Sequence, residues 1–349
     1  MIWVAPVFLA VLLPAYFFLP AGHIVRNGVY LLPLFVWIEF AVRGGRLLYG
    51  TVAFVSLAYI GGYCGYLLGG SFLVFKEFLF LVLVCAVMLP VFVTPKWSSL
   101  IFLGAAVVSV LLEAVFKSNG PVSIGMSETP FGLIVPFLAV VFYSKRRYGL
   151  AVLTFVLALF MLKRVALGAA FAVLSYDVLR HVFYQQKWVL SLLHAGLLGG
   201  IVFLGLHSLW VYEWIAAWMN VIFDQPMSAN SLTSGRYFAT DAFLHARPDP
   251  SFWQSMFGMG PGASADILQS IQDLDGKRFK LLHNDILRLW VDYGWFGLGV
   301  VLLGGWHAMM QGRLLAFAVL YVGILFLTDN VLTYVVFWLA LVFLVRAKE

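Results

Sequence analysis

Residues 281–298 read LLHNDILRLWVDYGWFGL. His283, Asn284, Asp285, Arg288 and Asp292 crowd the opening of a segment that turns apolar beyond Tyr293. On a helix, Asn284, Arg288 and Asp292 fall at i, i+4 and i+8 and share one face, with His283 in the first turn. Ile286, Leu289, Trp290 and Tyr293 point another way. Polar groups at membrane depth are costly and normally face a protein interior or an aqueous cavity. The stretch therefore predicts a spanning helix whose outer end walls a polar chamber. A plainer reading also fits the residues: a structural Arg288–Asp292 pair with a solvated histidine at the interface.

The rest of the chain favours the membrane. Of 349 residues, 63% are hydrophobic and only 11% charged, whereas a soluble domain keeps roughly a quarter of its residues charged. The N-terminal run MIWVAPVFLAVLLPAYFFLPAGH has no basic residue ahead of it and no small-residue cleavage site, so it reads as a retained span rather than a signal peptide. Cys64 and Cys85 fall inside apolar runs, which points to packing rather than to a disulfide or a metal site.

Breaks in the apolar pattern predict an all-α, polytopic chain that forms a single transmembrane domain over residues 1–349, with twelve spans. They lie near Ile2–Leu19, Val29–Val42, Leu47–Leu68, Phe72–Val93, Leu100–Phe116, Phe131–Phe142, Leu150–Leu162, Val165–Tyr176, Trp188–Trp210, Ile286–Met309, Leu314–Leu327 and Val331–Leu344. Each must be helical, because unpaired backbone groups are too costly in lipid. With both termini in the cytoplasm, the inner loops hold Arg43, Arg46, Lys96, Lys145, Arg146, Arg147, Arg180, Lys187, Arg313, Arg346 and Lys348. The short outer loops hold only Arg26, Lys117, Lys163 and Arg164. That bias follows the positive-inside rule. The net charge of +6 thus reflects the anionic inner leaflet and points to membrane lipids, not nucleic acid, as a partner.

One large outer loop remains, residues 211–282. Nine of the sixteen acidic residues fall between Glu213 and Asp292. In SLTSGRYFATDAFLHARPDP, Ser231, Thr233 or Ser234 can cap a helix that holds Arg236 and stops at Pro248. In GMGPGASADILQSIQDLDG, the glycines and Pro261 make a tight turn and Ser264 can cap a helix. Ile267, Leu268, Ile271 and Leu274 would form that helix's buried face, and Asp275–Gly276 would end it. Two or three short helices lying over the spans are expected. Asp273-Leu-Asp275 has the spacing of a metal-binding acidic pair, but it sits where an acidic turn is ordinary, and no metal is expected.

MLKRVALGAAF, SGRYFATDAFL, FGMGPG, HNDILRLWVDYGWFGL and an outer TDN, followed by a span with Phe337 and Trp338, occur in that order. This series resembles the O-antigen polymerase and O-antigen ligase superfamily of the bacterial inner membrane, over about the last half of the chain. The resemblance implies an inverting, metal-independent glycosyltransferase with no cofactor and an active site on the periplasmic face. Its donor would be an undecaprenyl-diphosphate-linked oligosaccharide. Its acceptor glycan would be either a lipid-linked repeat unit or the lipid A core, and a chain-length regulator is a further partner such enzymes could take. It implies that Arg164 and Arg236 hold the donor diphosphate and that His283 stands beside the acceptor hydroxyl. Lys163, Asn284, Arg288, Asp292, Asp329 and Asn330 would complete the substrate site. The chain departs from the family at Lys163, where members commonly carry a serine.

The chemistry suits these residue types. A departing diphosphate needs fixed positive charge, and guanidinium is always protonated and binds phosphate in bidentate fashion. The acceptor hydroxyl must lose its proton, and histidine is matched to that at neutral pH. Of the seven histidines only His23, His245 and His283 lie outside and clear of apolar runs. Asp285, Asp292 or Asp329 could orient the histidine or serve as base instead. Structural readings stand beside these: Arg164 as an interfacial snorkelling residue, and Arg236 as a salt-bridge partner of Asp241. The rival of another class is a lipid-linked glycan transporter. Glu39, Glu77 and Glu113 lie in or near spans, yet no half of the chain repeats the other, as transporter halves tend to do. Within the family, the compact loop and short chain favour the polymerase over the ligase.

Overall fold

A computed structural model describes residues 99–100, 102–104, 107, 130–160, 163–224, 227–260, 262–271 and 282–346. The spans expected before residue 99, the fifth beyond its first residues, both cysteines, His23, the intramembrane glutamates and Asp273-Leu-Asp275 lie outside the described residues. Within the described residues every regular element is helical.

Four helices lead to the loop: α1 (Pro130–Ser144), α2 (Tyr148–Phe160), α3 (Arg164–Val182) and α4 (Lys187–Leu206). The loop holds α5 (Ser208–Phe223), α6 (Ala229–Leu232), α7 (Arg236–Ala246), α8 (Phe252–Phe257) and α9 (Ala263–Ser270). It is thus more helical than its sequence suggested. Then follow α10 (Asp285–Gln311), α11 (Arg313–Phe326), a 3-10 turn at Val331–Thr333 and α12 (Val335–Arg346). Three of these helices, α3, α4 and α10, are long and apolar enough to cross a membrane, while α11 and parts of α1 and α2 are shorter apolar helices.

Several boundaries differ from the sequence pattern: α3 runs on to Val182 rather than Tyr176, and α12 starts at Val335, after the 3-10 turn, rather than at Val331. Two further differences have a visible reason. The ninth apolar run stops at Leu206 rather than Trp210. There Asn284 Nδ2 donates to the Gly205 carbonyl at 2.7 Å and to Ser208 Oγ at 3.0 Å, so that carbonyl is engaged from outside the helix. The tenth run is broken at Gly294, whose φ is 66°. Gly258, with φ 89°, lies against the Asp292 carbonyl, and a Cβ on Gly294 would meet the backbone of Met256 and Gly258 at 2.5 Å. The kink frees the Val291 carbonyl, which accepts the Met259 N–H at 2.8 Å. The glycine turn and the polar helix thus pack backbone against backbone, which only residues without a Cβ permit.

The core lies between α1, α3, α4, α10, α11 and α12, around Phe137, Phe317, Tyr321, Phe337 and Trp338, all buried. At one end of this bundle Arg313 binds Asp177 through two hydrogen bonds, 2.9 and 2.6 Å, with Tyr143 also donating to Asp177 at 3.3 Å. Lys145, Arg146, Arg147, Arg180 and Lys187 lie at helix ends on that same side. The other end is formed by the start of α3, the close of α4, the start of α10 and the turn after α11, and there the loop helices gather.

Candidate functional site

Residues Leu327–Asn330 link α11 to the 3-10 turn, and most of the sequence-predicted site residues meet on this short crossing. Lys163, just ahead of α3, points inward: its Nζ sits 2.8 Å from Asp329 Oδ2, and both side chains are buried. His283 Nδ1 faces the other carboxylate oxygen, Oδ1, at 3.9 Å. The Asn330 N–H donates to Oδ1 at 2.9 Å. Burial by itself would raise the Asp329 carboxyl, but His283, Lys163 and the Asn330 N–H outweigh it and hold the group well below the usual carboxylate range. Arg236, first residue of α7, reaches across from the loop and donates to the Thr328 carbonyl at 2.6 Å. Tyr212 donates to the neighbouring Leu327 carbonyl at 3.4 Å. Histidine, lysine and arginine thus come from three separate parts of the chain onto four consecutive residues.

His283 stands just outside α10, with its side chain 37% exposed while Asp329 is closed off. Nδ1 is the buried nitrogen of the ring and is the one turned to the carboxylate. A carboxylate behind a histidine fixes its tautomer and orientation and steadies the imidazolium that forms when it takes a proton.

Arg164 is the neighbour of Lys163, yet its side chain is exposed, and it makes no hydrogen bond or ion pair with another described residue. The resemblance put both in the site, Arg164 on the diphosphate and Lys163 among the substrate-binding residues; the fold turns Lys163 inward and leaves Arg164 at the rim. Arg236 does not pair with Asp241, which instead lies 3.4 Å from the exposed His245.

The remaining residues form the floor. Asn284 is fully buried and caps α10, its Oδ1 accepting from the Leu287 N–H at 3.0 Å. Asp285 binds elsewhere: its Oδ2 accepts the Leu332 N–H at 2.9 Å. Arg288 Nη1 lies 3.8 Å from Asp285 Oδ1. Asp292 accepts from Ser264 twice, from the N–H at 2.8 Å and from Oγ at 3.0 Å. All three charged groups are buried. Asn284, Asp285 and Asp292 therefore tie α10 to α4, the 3-10 turn and α9, and Arg288 lies against Asp285 on its own helix rather than lining an open wall. Asn330 is also buried.

Sequence reasoning passed over Ser264 as an Asp292 partner, reading it as a cap; Gly262 takes the cap position instead. It also missed the Tyr237 hydroxyl bond to Glu213 at 2.6 Å, which holds α7 to α5 and raises the Tyr237 phenol. Arg247 stacks over Trp290 at 4.3 Å. None of these pairs has a spacing signal, because each joins residues distant in sequence.

No family model, no curated protein and no solved structure matches this chain.

Proposed function

We propose that this protein is a membrane glycosyltransferase that moves a glycan from undecaprenyl diphosphate to an acceptor sugar hydroxyl on the outer face of a bacterial inner membrane, and that it is the O-antigen polymerase. The observation that carries the reading is the His283–Asp329 arrangement, with Lys163 and Arg236 closing on the same crossing at one end of the helices. The sequence resemblance supplies the substrate class, and the arrangement supplies a base and cations where such a substrate needs them. The basic helix ends lie on the opposite side, consistent with a cytoplasmic inner face.

In this reading the acceptor hydroxyl approaches His283 Nε2. As its oxygen bonds to the donor sugar C1, the C1–oxygen bond to the diphosphate breaks and the proton passes to Nε2. Undecaprenyl diphosphate leaves with the bonding electron pair. Asp329 keeps His283 oriented and balances the imidazolium. Arg236, half-buried with further N–H groups beyond the one on Thr328, and Arg164 at the rim meet the charge growing on the diphosphate. Lys163 is already matched by Asp329, so its part is to hold that carboxylate ionised.

The test is genetic and chemical together. The gene is deleted in its native host, and the host's lipopolysaccharide and lipid-linked glycans are compared with those of strains restored with wild type, His283→Ala or Arg236→Ala. Core capped by a single repeat unit in the deletion and in both variants supports the polymerase. Uncapped core with long chains stranded on undecaprenyl diphosphate assigns the ligase instead. An unchanged ladder overturns the O-antigen polymerase assignment and returns attention to a transporter or to a different polysaccharide.

A further inference from the structure

We infer that α5 and α8 are seated in the lipid surface on the site's side of the membrane, with their aromatic faces in the headgroup boundary, so that the membrane itself covers them. This rests on the membrane reading of the spans and not on glycosyl transfer.

The level of the boundary follows from helix geometry. α4 has 20 residues, about 30 Å at 1.5 Å per residue, which matches the hydrocarbon thickness of a bilayer. It ends at Leu206, and α5 begins at Ser208. Beside α4, a Cβ on Gly305 would touch Leu198 at 3.7 Å and Val319 at 3.3 Å, and one on Gly323 would touch Ile201 at 2.8 Å. α11 therefore rises alongside α4, and the part of α10 after its kink descends. From the Gly305–Leu198 contact, roughly 15 Å along each helix leads to Trp295 on one and Ser208 on the other. The α10 kink and the start of α5 stand at the same level.

Exposed aromatic side chains recur along α5 from that level onward and on α8 beside the α10 kink. On α5, Trp210, Trp214 and Trp218 recur every fourth residue and are all exposed, Trp218 by 59%. Tyr212 and Ala216, on another face, are buried, with Tyr212 against the site crossing. On α8, Trp253 is 68% exposed and stacks on Phe257 at 6.0 Å, and Phe257 meets Phe296 of the descending part of α10 at 5.7 Å. The α8 patch is thus continuous with the outer surface of a helix fit to span a membrane.

The chemistry suits lipid headgroups. Tryptophan favours the membrane–water interface, where its ring is buried and its N–H stays wet. The start of α8 is held by the Ser251–Gln254 capping box, and the Met259 N–H just after it binds the Val291 carbonyl of α10, so α8 is fixed against the helix that enters the membrane. Seated this way, α5 and α8 hold the His283–Asp329 site at headgroup depth, where a lipid-linked diphosphate lies.

The test is depth measurement by spin labelling of the full chain in liposomes, with Cys64 and Cys85 replaced by serine. Single labels go at positions 214, 218, 253 and 257, with His245→Cys, whose side chain on α7 is 80% exposed, as the solvent-facing control. We expect oxygen-to-nickel-chelate accessibility ratios several-fold above the control at all four positions. Ratios equal to the control overturn the inference, since the faces would then be in water. Low accessibility to both reagents also overturns it, since protein would then cover them. Should a labelled variant lose its folded chromatographic profile, quenching by brominated phospholipid is compared between wild type and the Trp218→Phe and Trp253→Phe proteins. A smaller quenched fraction in the variants supports the lipid seat, and an unchanged one removes it.

Discussion

Lys163 Nζ and Asp329 Oδ2 lie 2.8 Å apart, and neither side chain is more than 9% exposed. Such a pair is costly to break from one side, because the remaining charge is left buried. Lys163→Met or Asp329→Asn alone should destabilise the protein by about 3–5 kcal/mol, whereas Lys163→Met with Asp329→Leu should recover most of that loss. Thermal unfolding of the three variants in one detergent checks it, and a double variant as unstable as the singles refutes it.

The same pair fixes a pH dependence. Asp329 is held below its ordinary value when folded, so its contribution to stability is present above the unfolded carboxylate pKa, about 3.9. It is lost as pH falls through the lower folded value. The gap in melting temperature between wild type and the double variant should stay flat from about pH 7 to 5 and narrow only below about 4. Narrowing at higher pH would mean that Lys163 and His283 do not hold the carboxylate ionised.

His283 and Asp329 should act as one unit in transfer. Removing a positioned base costs on the order of 10²–10⁴ in rate. His283→Ala and Asp329→Asn should each lower kcat in that range, and the double variant should lose little beyond either single, since groups that act together are not additive. Steady-state assays with a purified lipid-linked donor measure this. Independent, multiplying losses would separate the two residues.

The helical class, the apolar runs and the grouping of polar residues at the head of α10 were legible in sequence, because 3.6-residue periodicity and hydropathy are local properties. His283 could be singled out by residue type and by its place at the head of an apolar run, Asp329 only as one of three candidate carboxylates, and Arg236 only through the resemblance of its motif. Which of Lys163 and Arg164 turns inward was not legible: adjacent residues on a helix start differ by rotation alone, and the partner that draws Lys163 inward lies far along the chain. Nor was the α10 break. GMGPG and DYGWFG each look like ordinary turn or helix glycines until Gly258 and Gly294 are seen to touch.

That contact gives a graded prediction. At Gly260, φ is 106° but nothing lies within 4 Å of a built Cβ, so Gly260→Ala should cost only the backbone strain, about 1–3 kcal/mol. Gly258→Ala and Gly294→Ala add a collision with backbone atoms that cannot rotate away. Both should yield less folded protein than Gly260→Ala and a lower melting temperature. Equal effects at all three positions would mean that α8 and α10 do not meet as closely as described.

Asn284 separates a structural part from a substrate-binding one. Its Oδ1 caps α10 while its Nδ2 serves Gly205 and Ser208, so every hydrogen-bonding atom of the side chain faces protein. Asn284→Ala removes the cap, worth about 0.5–2 kcal/mol, and strands a buried carbonyl, worth about 1–3 kcal/mol more. Asn284→Asp keeps the cap acceptor but sets a carboxylate against the Gly205 carbonyl, so it should not rescue stability. Melting temperature should fall in both, while KM for the lipid-linked donor, measured on the folded fraction below the transition, should stay within about threefold of wild type, less than the tenfold that 1.4 kcal/mol of lost binding would give. A KM increase well beyond that, with stability unchanged, would put Asn284 on the substrate and require the start of α10 to open toward it.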